Sequence, residues 1–329
     1  MSTADELVVH YANYIKGKVI IITGVSPGSL GAYFVQVIAK GRPAWIILAA
    51  HDVKKAQQTE AAIAASNPDV KMRILPLDLE SLQSVREAAA IINERSDIPV
   101  VDVLVNNAGK LSNEYGVTVD GFERQLATNH LGHFLFTNLI MDKILASSTW
   151  RIINISSDGH RLSLFHFEGY NFEVSDNEYD VLHAYGQTKT ANILFSTSLA
   201  KRLGEKHGLL AFSLHPGVIL TNAVDNLDLT TLPDRLHHPF FKGALDRVLG
   251  NIEGRADYSP DILSIEKGTA THVYAAFDPN LSAHNGAYLL DCRVADPLTD
   301  TIKPWATSPF EAEKLWRLSE KLVGQKFSY

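Results

Sequence analysis

A single cysteine, Cys292, among 329 residues excludes an internal disulfide and any cysteine-based metal site. A reducing setting is therefore expected, with the cytoplasm as the expected location. Long hydrophobic runs are missing. The most apolar stretches, residues 19–22 and 44–50, have the length of strands and not of membrane spans. The first 18 residues mix charged with apolar side chains and hold no signal-peptide core, so neither secretion nor a membrane anchor is expected. Positive charge is not in excess either. The 30 Lys and Arg against 37 Asp and Glu leave a net charge of −7, which argues against nucleic acid or an anionic membrane as a partner. His160, His166 and His183 lack metal-motif spacing, and no metal is expected. There is no internal repeat and no low-complexity tract.

What is present is an alternation. Short β-branched runs at residues 18–23, 45–50, 71–78, 101–106, 151–156, 210–215 and 287–290 read as strands. Helical patterns lie between them at 32–40, 53–65, 82–95, 119–145, 184–203 and 266–277, and a further surface helix is expected near 310–323. The strands are almost continuously apolar, as in a parallel sheet covered on both faces. The chain is therefore expected to form one α/β domain over residues 1–329, a doubly wound, mainly parallel seven-stranded sheet with helices on both faces. Asp52 is placed to N-cap the second helix and Asn67-Pro68 to end it; Ser84 with Glu87 reads either as a capping box near the start of the third or as a serine inside it. Two segments interrupt the rhythm, 158–183 and an insertion at about 222–264. Loops at the carboxyl edge of a parallel sheet are where substrates usually sit.

The first strand runs into Thr23-Gly24-Val25-Ser26-Pro27-Gly28-Ser29-Leu30-Gly31 and then a helix. Glycines in this position let a backbone approach a pyrophosphate, which then rests on the helix N-terminus. A nucleotide cofactor is expected here. An acid ending the second strand would hold a ribose 2′-hydroxyl and repel a 2′-phosphate. Ala50 stands at that place, with His51 next to it, which favours NADP(H). Asp52 is the opposing sign, although its role as a helix cap explains its presence. Asn106-Asn107-Ala108-Gly109 closes the fourth strand; its paired amides and small residues allow a ligand close to the backbone, but taken alone it reads as a turn. Asp78 at the end of the third strand reads either as an adenine contact or as a surface acid.

Tyr185 and Lys189 stand four residues apart ahead of a helical run, so they share one face. An ammonium about 4 Å from a phenolate, at an effective dielectric near 20, stabilises it by roughly 4 kcal/mol. That would bring a phenol from about 10 to about 7 and make it an acid–base near neutrality. A helix Tyr beside a surface Lys is the plain alternative.

Together these motifs resemble the short-chain dehydrogenase/reductase family, with its Rossmann-type fold, over roughly residues 18–290. Asp120-Gly121-Phe122-Glu123, the run from Thr128 to Phe134, Arg151 to Ser157 followed by His160, Ala184 to Phe195, and His215 to Thr221 look like the retinol-dehydrogenase-like branch. The resemblance implies Tyr185 as proton donor and acceptor, Lys189 as its partner on the nicotinamide ribose, Ser157 on the reacting oxygen, and Asn129 positioning Lys189 through a water. It further implies a cofactor lined by Gly24, Ser26, Gly28, Leu30, Gly31, His51, Asp78, Leu79, Asn106, Ala108 and Gly109, with Pro216, Gly217, Val218 and Thr221 beside the nicotinamide. The Gly-rich turn departs from the family by one extra residue, since Ser29 and Leu30 both separate Gly28 from Gly31. Lys110 stands where a small or apolar residue is common. Many members of the branch carry a membrane anchor, and none is expected here.

The expected function is NADP(H)-dependent reduction of a ketone or aldehyde, reversible toward the alcohol. The competing readings are an extended-type epimerase or dehydratase that retains NAD, and a non-catalytic nucleotide-binding module. A hydrolase built on Ser157 and His160 lacks a nucleophile-elbow pattern. Leu162, Leu164, Phe165, Phe167, Tyr170, Phe172 and Tyr179, then Leu227, Leu229, Leu232, Phe240, Phe241 and Leu245, suggest a bulky apolar or aromatic substrate. Packing of these loops on their own core explains the same residues. The resemblance also leaves a homo-oligomer paired through the active-site helices open.

Overall fold

The computed structural model describes residues 2–112, 114–172, 179–219, 262–297, 299–300 and 302–329. Its sheet has eight strands in the order β3-β2-β1-β4-β5-β6-β7-β8. These are β1 (Val19–Thr23), β2 (Trp45–Ala50), β3 (Met72–Pro76), β4 (Val103–Asn106), β5 (Arg151–Ile155), β6 (Leu210–Leu214), β7 (Tyr288–Leu290) and β8 (Arg293–Val294). The first seven run parallel. The eighth, absent from the sequence expectation of seven, returns antiparallel beside β7 through Asp291 and Cys292, both at positive φ (50° and 57°). Two residues are too short a run to carry a periodic signal.

β1 shows why the layers form. Val19 and Ile21 enter the core on one face, and Ile20 and Ile22 enter the core on the other. Successive side chains of a strand point to opposite faces, so an unbroken apolar run needs cover on both. Helices α1 (Ala4–His10), α2 (Leu30–Ala39), α3 (Val53–Ser66) and α7 (Ala270–Phe277) cover the second face. Helices α4 (Leu82–Glu94), α5 (Gly132–Leu139), α6 (Val181–His207) and α8 (Pro309–Leu322) cover the first. β1 sits between β2 and β4, where the winding reverses, and the crevice beyond its carboxyl end is the usual ligand position in such sheets.

Local signals set most boundaries. Asp52 caps α3 by accepting from the Lys55 amide at 3.0 Å, and Asn67 is its C-cap. α4 is capped by Ser81, not by Ser84, whose hydroxyl instead accepts from the Asp78 amide at 3.0 Å. The expected helix over 119–145 is broken. Arg124–Leu126 leads into a π turn, Ala127–Leu131, before α5, and Met141–Leu145 follows as a separate turn. The expected 266–277 helix divides into Ile265–Gly268 and α7. α1, which the sequence reading left unassigned, is fixed by a capping box between Thr3 and Glu6 and docks through Tyr11, whose hydroxyl donates to Asp278 at 2.6 Å. Phe165 is buried, with Phe167 and Tyr170 packed against the same core, so part of the apolar 158–183 segment serves packing. Most of the expected 222–264 insertion lies outside the described residues.

Candidate active site

The turn after β1 is built from close backbone contacts. Gly24 and Gly28 hold φ of 75° and 78°, which side-chain-bearing residues rarely adopt. A β-carbon on Gly31 would lie 2.2 Å from the Gly24 carbonyl oxygen and 2.6 Å from Asn107 Nδ2. The extra residue of the turn has a local purpose. Ser29 is the N-cap of α2, accepting from the Ala32 amide at 3.1 Å and donating to the Gly24 carbonyl at 3.3 Å. Ser26 accepts from the Ser29 amide at 3.0 Å, and Leu30, half-buried, opens α2.

The braces of this turn were missed by sequence reasoning. Asn107 Nδ2 donates to the carbonyls of Thr23 (2.8 Å) and Gly24 (3.0 Å), and its Oδ1 lies 3.3 Å from His272 Nε2. Thr59 on α3 donates to the Val25 carbonyl at 2.8 Å. The paired asparagines were the available signal, but only the fold shows that the second one holds the turn. Asn106, expected to line the cofactor, has a buried side chain that donates to Thr137 (3.0 Å) and Asn154 (2.8 Å), so only its backbone is left to face a ligand. Ala108 donates its amide to Thr23 Oγ1 at 2.8 Å, and a β-carbon on Gly24 would come within 2.7 Å of Ala108 Cα.

The remaining nucleotide-side candidates fall as follows. His51 is exposed just beyond β2, and Asp52 is engaged as a helix cap, which lowers its carboxyl below the usual range through the Lys55 amide. β3 ends at Pro76, so Asp78 does not end the strand but stands in the following turn, accepting from the Glu80 amide at 2.9 Å. Leu79 is buried against Gly132. Lys110 turns outward to Glu80, 2.7 Å away. Gly217 is at φ 92°, and Val218 pairs with Ile262 in an isolated bridge. Pro216 and Gly217 follow His215, whose Nδ1 accepts from the Asp158 amide at 3.3 Å. Thr221 lies outside the described residues.

The catalytic candidates converge at the start of α6. Asp180 caps this helix, accepting from the Leu182 and His183 amides at 3.0 and 3.1 Å, and so starts it a turn before Tyr185. Ser157, just past β5, accepts from the Gly159 amide at 3.0 Å, and its hydroxyl and the Tyr185 ring both face Gly159. Gly159 lies against the Tyr185 ring, where a β-carbon would come within 2.8 Å of Cε1. Lys189 Nζ sits 5.2 Å from the centroid of that ring and donates to the Ile155 carbonyl at 3.1 Å. A β-carbon on Gly109 would lie 3.4 Å from Lys189 Nζ and 3.7 Å from Asn129 Oδ1, so these groups face one small space. Asn129, in the π turn, accepts from the Lys110 amide at 2.7 Å and donates to the Lys110 carbonyl at 3.0 Å and to Thr188 Oγ1 at 2.9 Å.

The electrostatics correct one expectation. The phenol is not brought down by the ammonium. Burial pushes Tyr185 above its ordinary 10, opposed by the Ser157 hydroxyl, and burial pushes Lys189 down to about 8. Loss of water disfavours both charged forms and is the largest effect on each group. Among the described residues, no group of three or more His, Cys, Asp and Glu is placed to hold a metal ion, and no helix is long and apolar enough to cross a membrane.

Comparison with known proteins agrees with this geometry. The short chain dehydrogenase family model matches residues 18–171. Retinol dehydrogenase 12 of Mus musculus is 32% identical over 315 residues, covering 94% of this chain and 87% of its own. Short-chain dehydrogenase/reductase prx1 of Penicillium roqueforti is 34% identical over 319 residues, covering 94% and 86%. Among solved structures, an uncharacterised protein from Mycobacterium paratuberculosis superposes with a TM-score of 0.66 at 26% identity, covering 96% of each chain. Members of this family are oxidoreductases that bind nicotinamide cofactors. With a Gly-rich turn at the winding reversal, a Ser–Tyr–Lys group at the carboxyl edge and relatives matching over nearly its whole length, the chain belongs to the short-chain dehydrogenase/reductase family, in its retinol-dehydrogenase-like branch.

Proposed function

We propose that this protein is an NADP(H)-dependent oxidoreductase that reduces a bulky apolar or aromatic ketone or aldehyde to the alcohol, reversibly. The observation that carries the reading is the convergence of the Ser157 hydroxyl and the Tyr185 ring around Gly159, with the Lys189 ammonium over that ring. A bound nicotinamide would supply or accept the hydride. Gly24, Ser26, Gly28, Leu30 and Gly31 would hold its pyrophosphate, since the tight turn leaves backbone amides at the start of α2 for an anion. Asp78 and Leu79 would flank the adenine, Asn106, Ala108 and Gly109 the ribose side, and Pro216, Gly217, Val218 and Thr221 the nicotinamide. Lys189 would hold the ribose hydroxyls, with Asn129 fixing the backbone around it.

Ser157 and Tyr185 would present two donors to the substrate oxygen, where negative charge grows during reduction. A phenol raised by burial stays protonated at neutral pH, which suits it to give a proton in the reductive direction. The oxidative direction needs that proton removed and gains as pH rises. The cofactor choice is supported by Ala50 at the strand end, by His51 exposed beside it and by Asp52 being occupied as a cap. The substrate class is supported by the relatives named retinol dehydrogenase and by the rings of Tyr115, Phe172 and Tyr179, packed 5.3 and 5.9 Å apart ahead of α6.

A panel of aryl ketones, aliphatic and retinoid aldehydes and their alcohols, followed by nicotinamide absorbance with NADPH and NADH separately, tests the reading. Turnover of bulky carbonyls with the higher kcat/KM for NADPH is expected. A higher value with NADH overturns the cofactor choice, and no turnover across the panel overturns the enzyme reading. Tyr185→Phe is expected to lower kcat by about 10²- to 10⁴-fold, the usual worth of a positioned acid, with NADPH affinity kept.

A further inference from the structure

We propose that His133 is a positioning residue that ties the nucleotide turn to the catalytic turn, through two hydrogen bonds open only to its neutral form with the proton on Nδ1. The proposal rests on the oxidoreductase reading above. His133 is buried at the start of α5 and belongs to neither the nucleotide-lining nor the reacting group. Its Nε2 lies 2.8 Å from Thr23 Oγ1 and its Nδ1 3.2 Å from the Asn129 carbonyl oxygen.

Proton counting fixes the tautomer. Thr23 Oγ1 accepts the amide protons of Asn107 at 3.0 Å and Ala108 at 2.8 Å. A hydroxyl has two acceptor positions and one proton, so the Thr23 proton must go to the third partner, His133 Nε2. Nε2 is then an acceptor, and the single ring proton sits on Nδ1, where it donates to the Asn129 carbonyl. From Asn129 the chain continues through its amide to Thr188 Oγ1 at 2.9 Å, and Thr188 donates to the Tyr185 carbonyl at 2.7 Å. Hydrogen bonds, joined through the covalent frame of Asn129, thus connect the glycine turn to the backbone of the catalytic Tyr.

The π turn gives this path its purpose. It interrupts the regular helical ladder at Ala127–Leu131, and the imidazole supplies a donor to the third residue of the turn. The titratable groups facing the ring are Lys189 from α6 and His130 from the π turn. Burial and Lys189 hold His133 down to about 4, so the ring stays neutral across the working range.

Two variants each keep one arm. The shorter amide of His133→Asn reaches where Nδ1 stood and keeps the bond to Asn129. The longer amide of His133→Gln reaches where Nε2 stood and keeps the bond to Thr23. His133→Gln is expected to lower kcat at least about tenfold, the worth of one lost hydrogen bond, and to move the alkaline midpoint of the kcat–pH profile with KM for NADPH unchanged. His133→Asn, which loses the bond to Thr23 in the nucleotide turn, is expected to raise KM for NADPH about tenfold with an unmoved kcat midpoint. In the wild-type chain, ¹⁵N imidazole spectra are expected to show His133 with its proton on Nδ1 down to pH 5. A wild-type profile in His133→Gln, a loss of stability without a moved midpoint, or an Nε2-protonated ring overturns the proposal. Should the Gln variant fail to fold, the ring spectrum and the Asn variant decide. Tyr185→Phe is run alongside. If it stays active, the reaction reading is at fault, and if it is inactive while His133→Gln behaves as wild type, only the role of His133 is.

Discussion

Lys189 is held as an ammonium in a place that disfavours it, and its removal should make the protein more stable and less active. Its side chain is 3% exposed, and burial alone lowers it from 10.5 to about 8, with no carboxylate offsetting the loss of water. At about 1.4 kcal/mol per unit, that depression corresponds to roughly 3 kcal/mol of destabilisation at neutral pH. The sign follows from proton counting. Between pH 8 and 10.5 the unfolded chain keeps the proton that the folded chain has released, so stability rises with pH across that window and is flat below it. Lys189→Met keeps the length of the side chain and removes the charge. It also removes the hydrogen bond to Ile155, which offsets about 1 kcal/mol. The net expectation is a variant about 2 kcal/mol more stable than wild type at pH 7, with the difference shrinking toward zero or reversing by pH 10. Urea unfolding without nucleotide, at pH 7, 8, 9 and 10, measures it. Carbonyl reduction by the same variant should fall by at least about 10²-fold. A variant less stable than wild type at pH 7, or a difference that ignores pH, refutes the reasoning.

Gly31→Ala places a β-carbon 2.2 Å from the Gly24 carbonyl oxygen, so the turn must open; NADPH affinity by fluorescence titration should weaken by at least about tenfold while the chain stays folded. Trp316→Ala on α8 removes a side chain packed on Phe134 (5.0 Å between ring centroids) and beneath Arg202 (4.4 Å), and should cost about 3–5 kcal/mol in urea unfolding. Because α8 lies along α6, with Ser198 donating to the Ala312 carbonyl at 2.9 Å and Arg202 pairing with Glu313 at 2.6 Å, pairing of two chains through that face of α6 is expected to be closed. Sedimentation of the wild-type chain as a dimer, abolished by substitutions on the exposed face of α8, would show instead that α8 itself is the contact.

Much of the fold was legible because the signals were local. The apolar run 19–22, the cap at Asp52 and the four-residue spacing of Tyr185 and Lys189 each depend on neighbours within a turn or two of chain. The same holds for the glycine turn, whose extra residue proved to be the Ser29 cap. The aromatic segment before Tyr185 was read two ways, and the structure assigns Phe165, Phe167 and Tyr170 to the core while Phe172 and Tyr179 meet edge to face outside it. Ser84 was read either as a cap, from its spacing to Glu87, or as a serine inside the helix, and it lies inside because the chain enters α4 one turn earlier, at Ser81.

The chain order of residue types was enough to determine a mainly parallel sheet and which helix carries the phenol and the ammonium, because periodicity and capping act over a few residues, whereas the reversal beside β1 came from the strand order. Tertiary structure alone decided that Asn107 braces the glycine turn while Asn106 is buried elsewhere, that a π turn presents Asn129, and that His133 spans Thr23 and Asn129 across about a hundred residues of sequence. It also decided the charge state of Tyr185 and Lys189. Spacing supplies an ammonium near a phenol, but how much water each has lost is set by everything packed around them, and here that loss is the larger effect.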